Sequence, residues 1–145
     1  MKTLSYLLLG GCCLLLLANC QRNRYTPTET SEEFIRFGSG GGFTGARTTF
    51  TLMDNGQLFR HESLTDSTSL LPRVKRKVYK EIFNTLHQVD TTLLGAQQPG
   101  NRYYFLDWVR PEQSIETTWG STDYKVPSEV QSTYQGLMKL VRTEE

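Results

Sequence analysis

Few side chains in this 145-residue chain could serve as acid–base groups or ligands, and their spacing restricts the chemistry open to them. His61 and His87 are its two histidines. They stand far apart, and neither belongs to an H-E-x-x-H pair or to any closely spaced metal-ligand set, so no metal ion or cofactor is expected. Each reads as structural or solvated, His61 ending a hairpin and His87 on the flank of a helix. Asp107 interrupts an apolar strand between Leu106 and Trp108. A carboxylate there is a candidate acid if buried and paired, and otherwise marks the solvent face. Glu112 and Glu116 are ordinary hairpin residues, since paired-carboxylate chemistry needs a geometry that strand spacing does not establish. An envelope hydrolase centred on Asp107 or His61 is therefore the weakest of three functional readings.

The segment Gly38-Ser-Gly-Gly-Gly-Phe-Thr-Gly45 is the most unusual in the chain. A phosphate-binding loop needs G-x-x-x-x-G-K-[ST] before a helix; here Ala46 and Arg47 follow Gly45 and a strand comes next, so that chemistry is excluded. Two readings remain. In one, the glycines form a bulged or left-handed connection between edge strands and Phe43 packs into the core. In the other, the backbone of Gly40, Gly41, Gly42 and Gly45 lies against a partner, with Phe43 as aromatic anchor and Arg47 beside it. A competing ligand site is an aromatic sheet face of Tyr104, Trp108 and Trp119, with Tyr103 nearby, on the uncovered side of the sheet; core packing is the expected use of at least half of these rings. Arg73, Lys75, Arg76, Lys77 and Lys80 crowd the opening turns of a helix, where the macrodipole disfavours positive charge. They form a solvated face or contact an anionic surface or partner.

The elements that must position these residues follow from periodicity. Phe34-Ile35-Arg36-Phe37 reads as a short strand ending at Gly38. From Ala46 to Met53 the residues alternate, Thr48, Phe50 and Leu52 on one face and Thr49, Thr51 and Met53 on the other, and Asn55-Gly56 marks a type I′ turn within a hairpin that runs to His61. After a polar stretch and Pro72, Val74, Val78, Ile82 and Leu86 recur every four residues, widened by Tyr79, Phe83 and Val89, which predicts an amphipathic helix with Pro72 in its first turn. Tyr103 to Arg110 and Ser114 to Trp119 predict a second hairpin, with Ile115, Thr117 and Trp119 inward. Val130, Tyr134, Leu137 and Val141 share one face of a closing helix, which starts at Pro127 or behind a capping box of Ser128 and Gln131. The order β-β-β-α-β-β-α predicts a two-layer α+β domain over residues 34–145, an antiparallel sheet of about five strands covered on one face by two helices.

The amino terminus carries an export address. Lys2 precedes the uncharged apolar run LSYLLLGGCCLLLL, and Leu17-Ala18-Asn19-Cys20 follows at once. The run is short for a membrane-spanning helix of about 20 residues, which leaves a permanent transmembrane anchor as the lesser reading. Leu17, Ala18 and Cys20 resemble the bacterial lipobox, Asn19 departing from its preference for a smaller residue. The resemblance implies a signal peptide over residues 1–19 and lipidation of Cys20, which then begins the mature chain. Two or more acyl chains hold stably where one binds marginally. Cys12 and Cys13 fall in the removed segment, so Cys20 has no partner for a disulfide in the mature chain. Residues 20–33 are polar, contain Pro27 and lack periodicity, as expected of a flexible tether. Gln21 is not the aspartate that retains lipoproteins at the inner membrane of enteric bacteria, so by that resemblance the outer membrane is the expected location.

Of the 16 Lys and Arg residues only Lys2 lies in the signal, which leaves 15 against 15 Asp and Glu in the mature chain. Such balance supplies no field for nucleic acid, and none is expected as a partner. Gly41-Gly42-Phe43-Thr44-Gly45, followed by a strand and later a helix, resembles the Gly-Gly-Phe-x-Gly pattern of small emfourin-like proteins, whose type member inhibits a thermolysin-like metalloprotease. It is also similar to small lipoproteins of Bacteroidota type. The leading expectation is a lipid-anchored, non-enzymatic protein-interaction module of the cell envelope, inhibitor-like by that resemblance. A small-ligand binder using the aromatic face is the alternative.

Overall fold

The computed structural model describes residues 32–142; the signal segment, Cys20 and nearly all of the tether lie outside them. The chain builds an α+β domain in two layers, one sheet and two helices. The strands are β1 (Phe34–Gly41), β2 (Arg47–Met53), β3 (Leu58–Glu62), β4 (Ser67–Leu71), β5 (Gln97–Gln98), β6 (Arg102–Arg110) and β7 (Gln113–Trp119); the helices are α1 (Arg76–Gln88) and α2 (Ser128–Arg142). They form one seven-stranded sheet in the order β4-β3-β2-β1-β6-β7-β5. This corrects the expectation of about five antiparallel strands: β5 runs parallel to β7, so the sheet is mixed. The two added strands carry little sequence signal. β5 is two glutamines, and β4 is a hydroxyl-rich edge whose order comes from pairing with β3.

The alternation read along β2 and β7 is the alternation observed. Phe50 and Leu52 join Ile35, Phe37, Leu106 and Trp108 on one face, where Phe83 and Leu86 of α1 and Val130, Tyr134 and Leu137 of α2 close over them. Burial of such side chains contributes about 1.5–3 kcal/mol each, which is what holds the helices on the sheet. Three local readings are corrected. The β2–β3 connection is not a type I′ turn: Gly56 donates to the Met53 carbonyl and Met53 to Gln57, and in this turn only Gly56 has positive φ. That is a type I turn closed by a glycine bulge. Pro72 lies ahead of α1, which begins at Arg76 behind an extended Lys75. In α2 the Pro127 carbonyl accepts from the Gln131 amide, while Ser128 bonds to Glu129, so no capping box forms.

The glycine segment also sits elsewhere than expected. β1 does not stop at Gly38; it continues through Gly41 as the central strand, paired to β2 on one side and β6 on the other. Gly38 and Gly40 therefore present no side chain on the face opposite the helices. A Cβ on Gly38 would overlap the Thr48 carbonyl oxygen and approach the Phe105 ring, and one on Gly40 would lie 2.6 Å from the Tyr103 hydroxyl. The missing side chains make room for those rings. Gly38→Ala is expected to cost about 3 kcal/mol through backbone overlap that cannot relax. Gly42→Ala, at positive φ with open space around it, should cost about 1 kcal/mol. Urea denaturation of the two variants measures the difference.

Candidate functional site

The β1–β2 connection is a short turn with a tightly held base. The Gly41 amide donates to the Ala46 carbonyl at 3.0 Å, the Gly45 amide to the Gly42 carbonyl at 3.2 Å, and the Gly42 amide to the Asn101 carbonyl at 2.6 Å in the neighbouring connection. A side chain on Gly41 would overlap Asn101, so the close approach requires glycine. Gly42 and Gly45 take φ of 78° and 63°, which lets the chain reverse around Phe43-Thr44. Phe43 is fully exposed at the tip. The reading in which it packs into the core is overturned: the turn points the ring away from both layers.

The remaining candidates divide between the two sheet faces. Gly40, Gly41 and Tyr104 meet at the end of the sheet, lining a recess of about 190 Å³ with Ser39, Thr48 and Tyr103. Tyr104 is 46% exposed, but Trp108 and Trp119 are 2% and 6% exposed. All three share the helix-covered face, which corrects their placement on the uncovered side. Trp119 meets the Tyr134 ring edge-on at 5.0 Å, and Tyr104 completes the cluster. A cleft of about 470 Å³ opens beside it along α2, bounded by Gln131, Met138, Lys139 and Arg142. Burial, aided by the neighbouring Tyr104 and opposed by Arg142, pushes the Tyr134 hydroxyl up to about 12, so it stays protonated and donates to the Gly38 carbonyl at 3.0 Å. Trp108 is structural. Its indole N–H donates to Glu33 at 2.6 Å while His87 packs edge-on against it and lies 3.2 Å from the same carboxylate.

Arg47 lies on the opposite, uncovered face. Its guanidinium crosses the glycine positions of β1 and stacks 3.8 Å over the buried Phe105 ring, a cation–π contact. Asp107 is on the same face and, being buried and paired, does not mark the solvent face. It is 2% exposed, accepts from Arg36 Nε at 2.9 Å and Nη2 at 2.5 Å, and takes a third bond from Ser114 at 2.8 Å. His61 bonds to Thr68 at 3.0 Å on that face, and His87 is on the other side of the sheet with Glu33. His61, His87 and Asp107 thus do not converge into an acid–base constellation. Among the described residues no group of three His, Cys, Asp or Glu could hold a metal ion, and no helix is long and apolar enough to cross a membrane. Lys75, Arg76, Lys77 and Lys80 are exposed at the start of α1, which has no acidic residue in its first turn. No family model and no curated protein matches the chain.

Sequence reasoning missed Arg36. Its signal was there: Arg36 and Asp107 are each a lone charge within an apolar strand, and pairing β1 with β6 puts them opposite one another. Arg36→Ala should cost about 3 kcal/mol, because it leaves a buried carboxylate with one neutral donor. Asp107→Asn should cost about 1–2 kcal/mol, since the half-exposed Arg36 can turn to water. A double-mutant cycle should then give a sum well above the combined effect. Asp54 supplies a pH test. Burial first, then the nearby Glu32 and Glu33 carboxylates, raise it above the ordinary value of 3.8. Between that value and the raised one the folded state keeps a proton that the unfolded state has released, so stability falls as pH climbs through the window. Asp54→Asn is expected to be the more stable protein at pH 7, with the advantage gone by pH 3, as read from urea midpoints.

Proposed function

We propose that this chain is a lipid-anchored, non-enzymatic protein-interaction module of the cell envelope, held by acylated Cys20 and engaging its partner through the β1–β2 turn. The observation that carries the reading is Phe43, fully exposed on a turn fixed by three backbone hydrogen bonds. Burying a phenylalanine ring contributes about 1.5–3 kcal/mol, and the pinned turn lowers the ordering cost on binding. Gly42 and Gly45 leave the backbone beside the ring open to close approach. The resemblance of Gly41–Gly45 to emfourin-like proteins makes a secreted metalloprotease the first partner to test. The aromatic-face alternative is weakened by the burial of Trp108 and Trp119, which leaves Tyr104 as its accessible ring.

One experiment addresses anchor and turn together. A photo-crosslinking phenylalanine analogue placed at position 43 in cells should give a discrete adduct, and the same group at the exposed Leu64 should not. Intact mass of the purified chain should show acylation that Cys20→Ser abolishes, with release from the membrane fraction. Unmodified wild type would remove the anchor, and identical adducts from positions 43 and 64 would remove the turn as the contact site.

A further inference from the structure

The uncovered sheet face holds a groove of about 410 Å³ that the interaction turn does not use, lined among others by Arg36, Arg47, Thr49, Thr51, His61 and Thr68. Strand register explains the convergence. Thr49 stands opposite Gly38 and His61, Thr51 opposite Arg36 and Phe59, and Thr68 opposite His61, so hydroxyls, imidazole and guanidinium groups from four adjacent strands face the same space. Phe59 supplies an apolar patch in the lining.

The two arginines are held differently. Arg36 is committed to buried Asp107 through two nitrogens on one carboxylate oxygen. Arg47 is fixed by stacking on Phe105, and the carboxylate facing it, on Glu116, is 3.9 Å away, beyond hydrogen-bond reach. Its planar fork is thus oriented without a bidentate acid upon it, the arrangement that recognises a carboxylate. Asp107 balances Arg36 and Glu116 offsets Arg47, so the lining carries no surplus positive charge. An anion would be held by the directed donors of the Arg47 fork and the hydroxyls, and a second negative charge would go unopposed. We propose that this face binds a small monoanionic organic acid, its carboxylate on the Arg47 fork and the threonine hydroxyls, its apolar body against Phe59.

The full chain in detergent, isotopically labelled, is titrated with acetate, benzoate and phenylacetate, with the corresponding amides, and with inorganic phosphate, while backbone amide shifts are followed. Saturable shifts confined to Thr49, Thr51, His61 and Thr68, seen with at least one carboxylate and not with its amide, are expected. Arg47→Lys should weaken that binding about tenfold by losing the fork while keeping the charge, and Thr51→Val should weaken it severalfold. Phe43→Ala should leave it unchanged, which separates this site from the turn. Absence of saturable shifts with all three carboxylates, equal binding of the amides, or a preference for phosphate would each overturn the assignment. Unchanged affinity in both Arg47→Lys and Thr51→Val would do the same.

Discussion

The central strand of this sheet is half bare, and much of the molecule follows from that. On the face away from the helices, β1 offers Phe34 and Arg36 and then two glycines, Gly38 and Gly40. In a strand interior glycine weakens pairing and removes a packing surface, so its placement at the centre of a sheet needs a compensating contact. Here the compensation comes from the flanking strands. Tyr103 leans over Gly40, Phe105 fills the space at Gly38, and Arg47 crosses from β2 to stack on Phe105. The Gly38 carbonyl, on the same backbone, accepts from Tyr134 of α2. One short stretch of backbone therefore ties the helix layer to the sheet and shapes the opposite face.

How far this was readable from the sequence depends on what each residue type can report. Alternation in Thr48 to Met53 and the helical stripes of Val74 to Leu86 and Val130 to Leu137 depend on a period and a burial preference that the chain itself displays. Period 2 does not say which side of the sheet is covered. Along β6 both sides are aromatic, Tyr103 and Phe105 against Tyr104 and Trp108, so the rings alone do not decide. The deciding residue is Asp107, whose charge is satisfied by Arg36 across the strand pair, on the side of Phe105. That makes Trp108 inward and Tyr103 outward. β4 escaped because serine and threonine at an edge resemble a turn until the β3 partner is known.

The candidate residues separated for the same reason. Gly40, Gly41, Gly42, Phe43, Gly45 and Arg47 lie close together in sequence, yet the strand-turn-strand path sends them to three places: a central strand, an exposed tip and the uncovered face. Only Gly42, Phe43 and Gly45 share the turn. Conversely Gly40, Gly41 and Tyr104, distant in sequence, become neighbours through the β1–β6 register. Sequence proximity suggested one site where the fold makes an exposed aromatic tip and, on the other side of the glycines, a polar groove.

These two surfaces differ in how they are held. Phe43 stands on a turn held chiefly by backbone hydrogen bonds, and its side chain touches neither layer, so its substitution leaves the core intact and tests binding cleanly. Arg47 covers Phe105, and Arg36 and Asp107 satisfy one another on the same face, so changing them alters stability and recognition together. Arg47→Lys preserves charge and much of the aliphatic stem that shields the ring, while removing the planar fork. Its effect on anion affinity, compared with its effect on folding, distinguishes an arginine kept for packing from one kept for a ligand. Gly38 belongs to both uses, because the same missing Cβ seats Phe105 and leaves the path along which Arg47 reaches it.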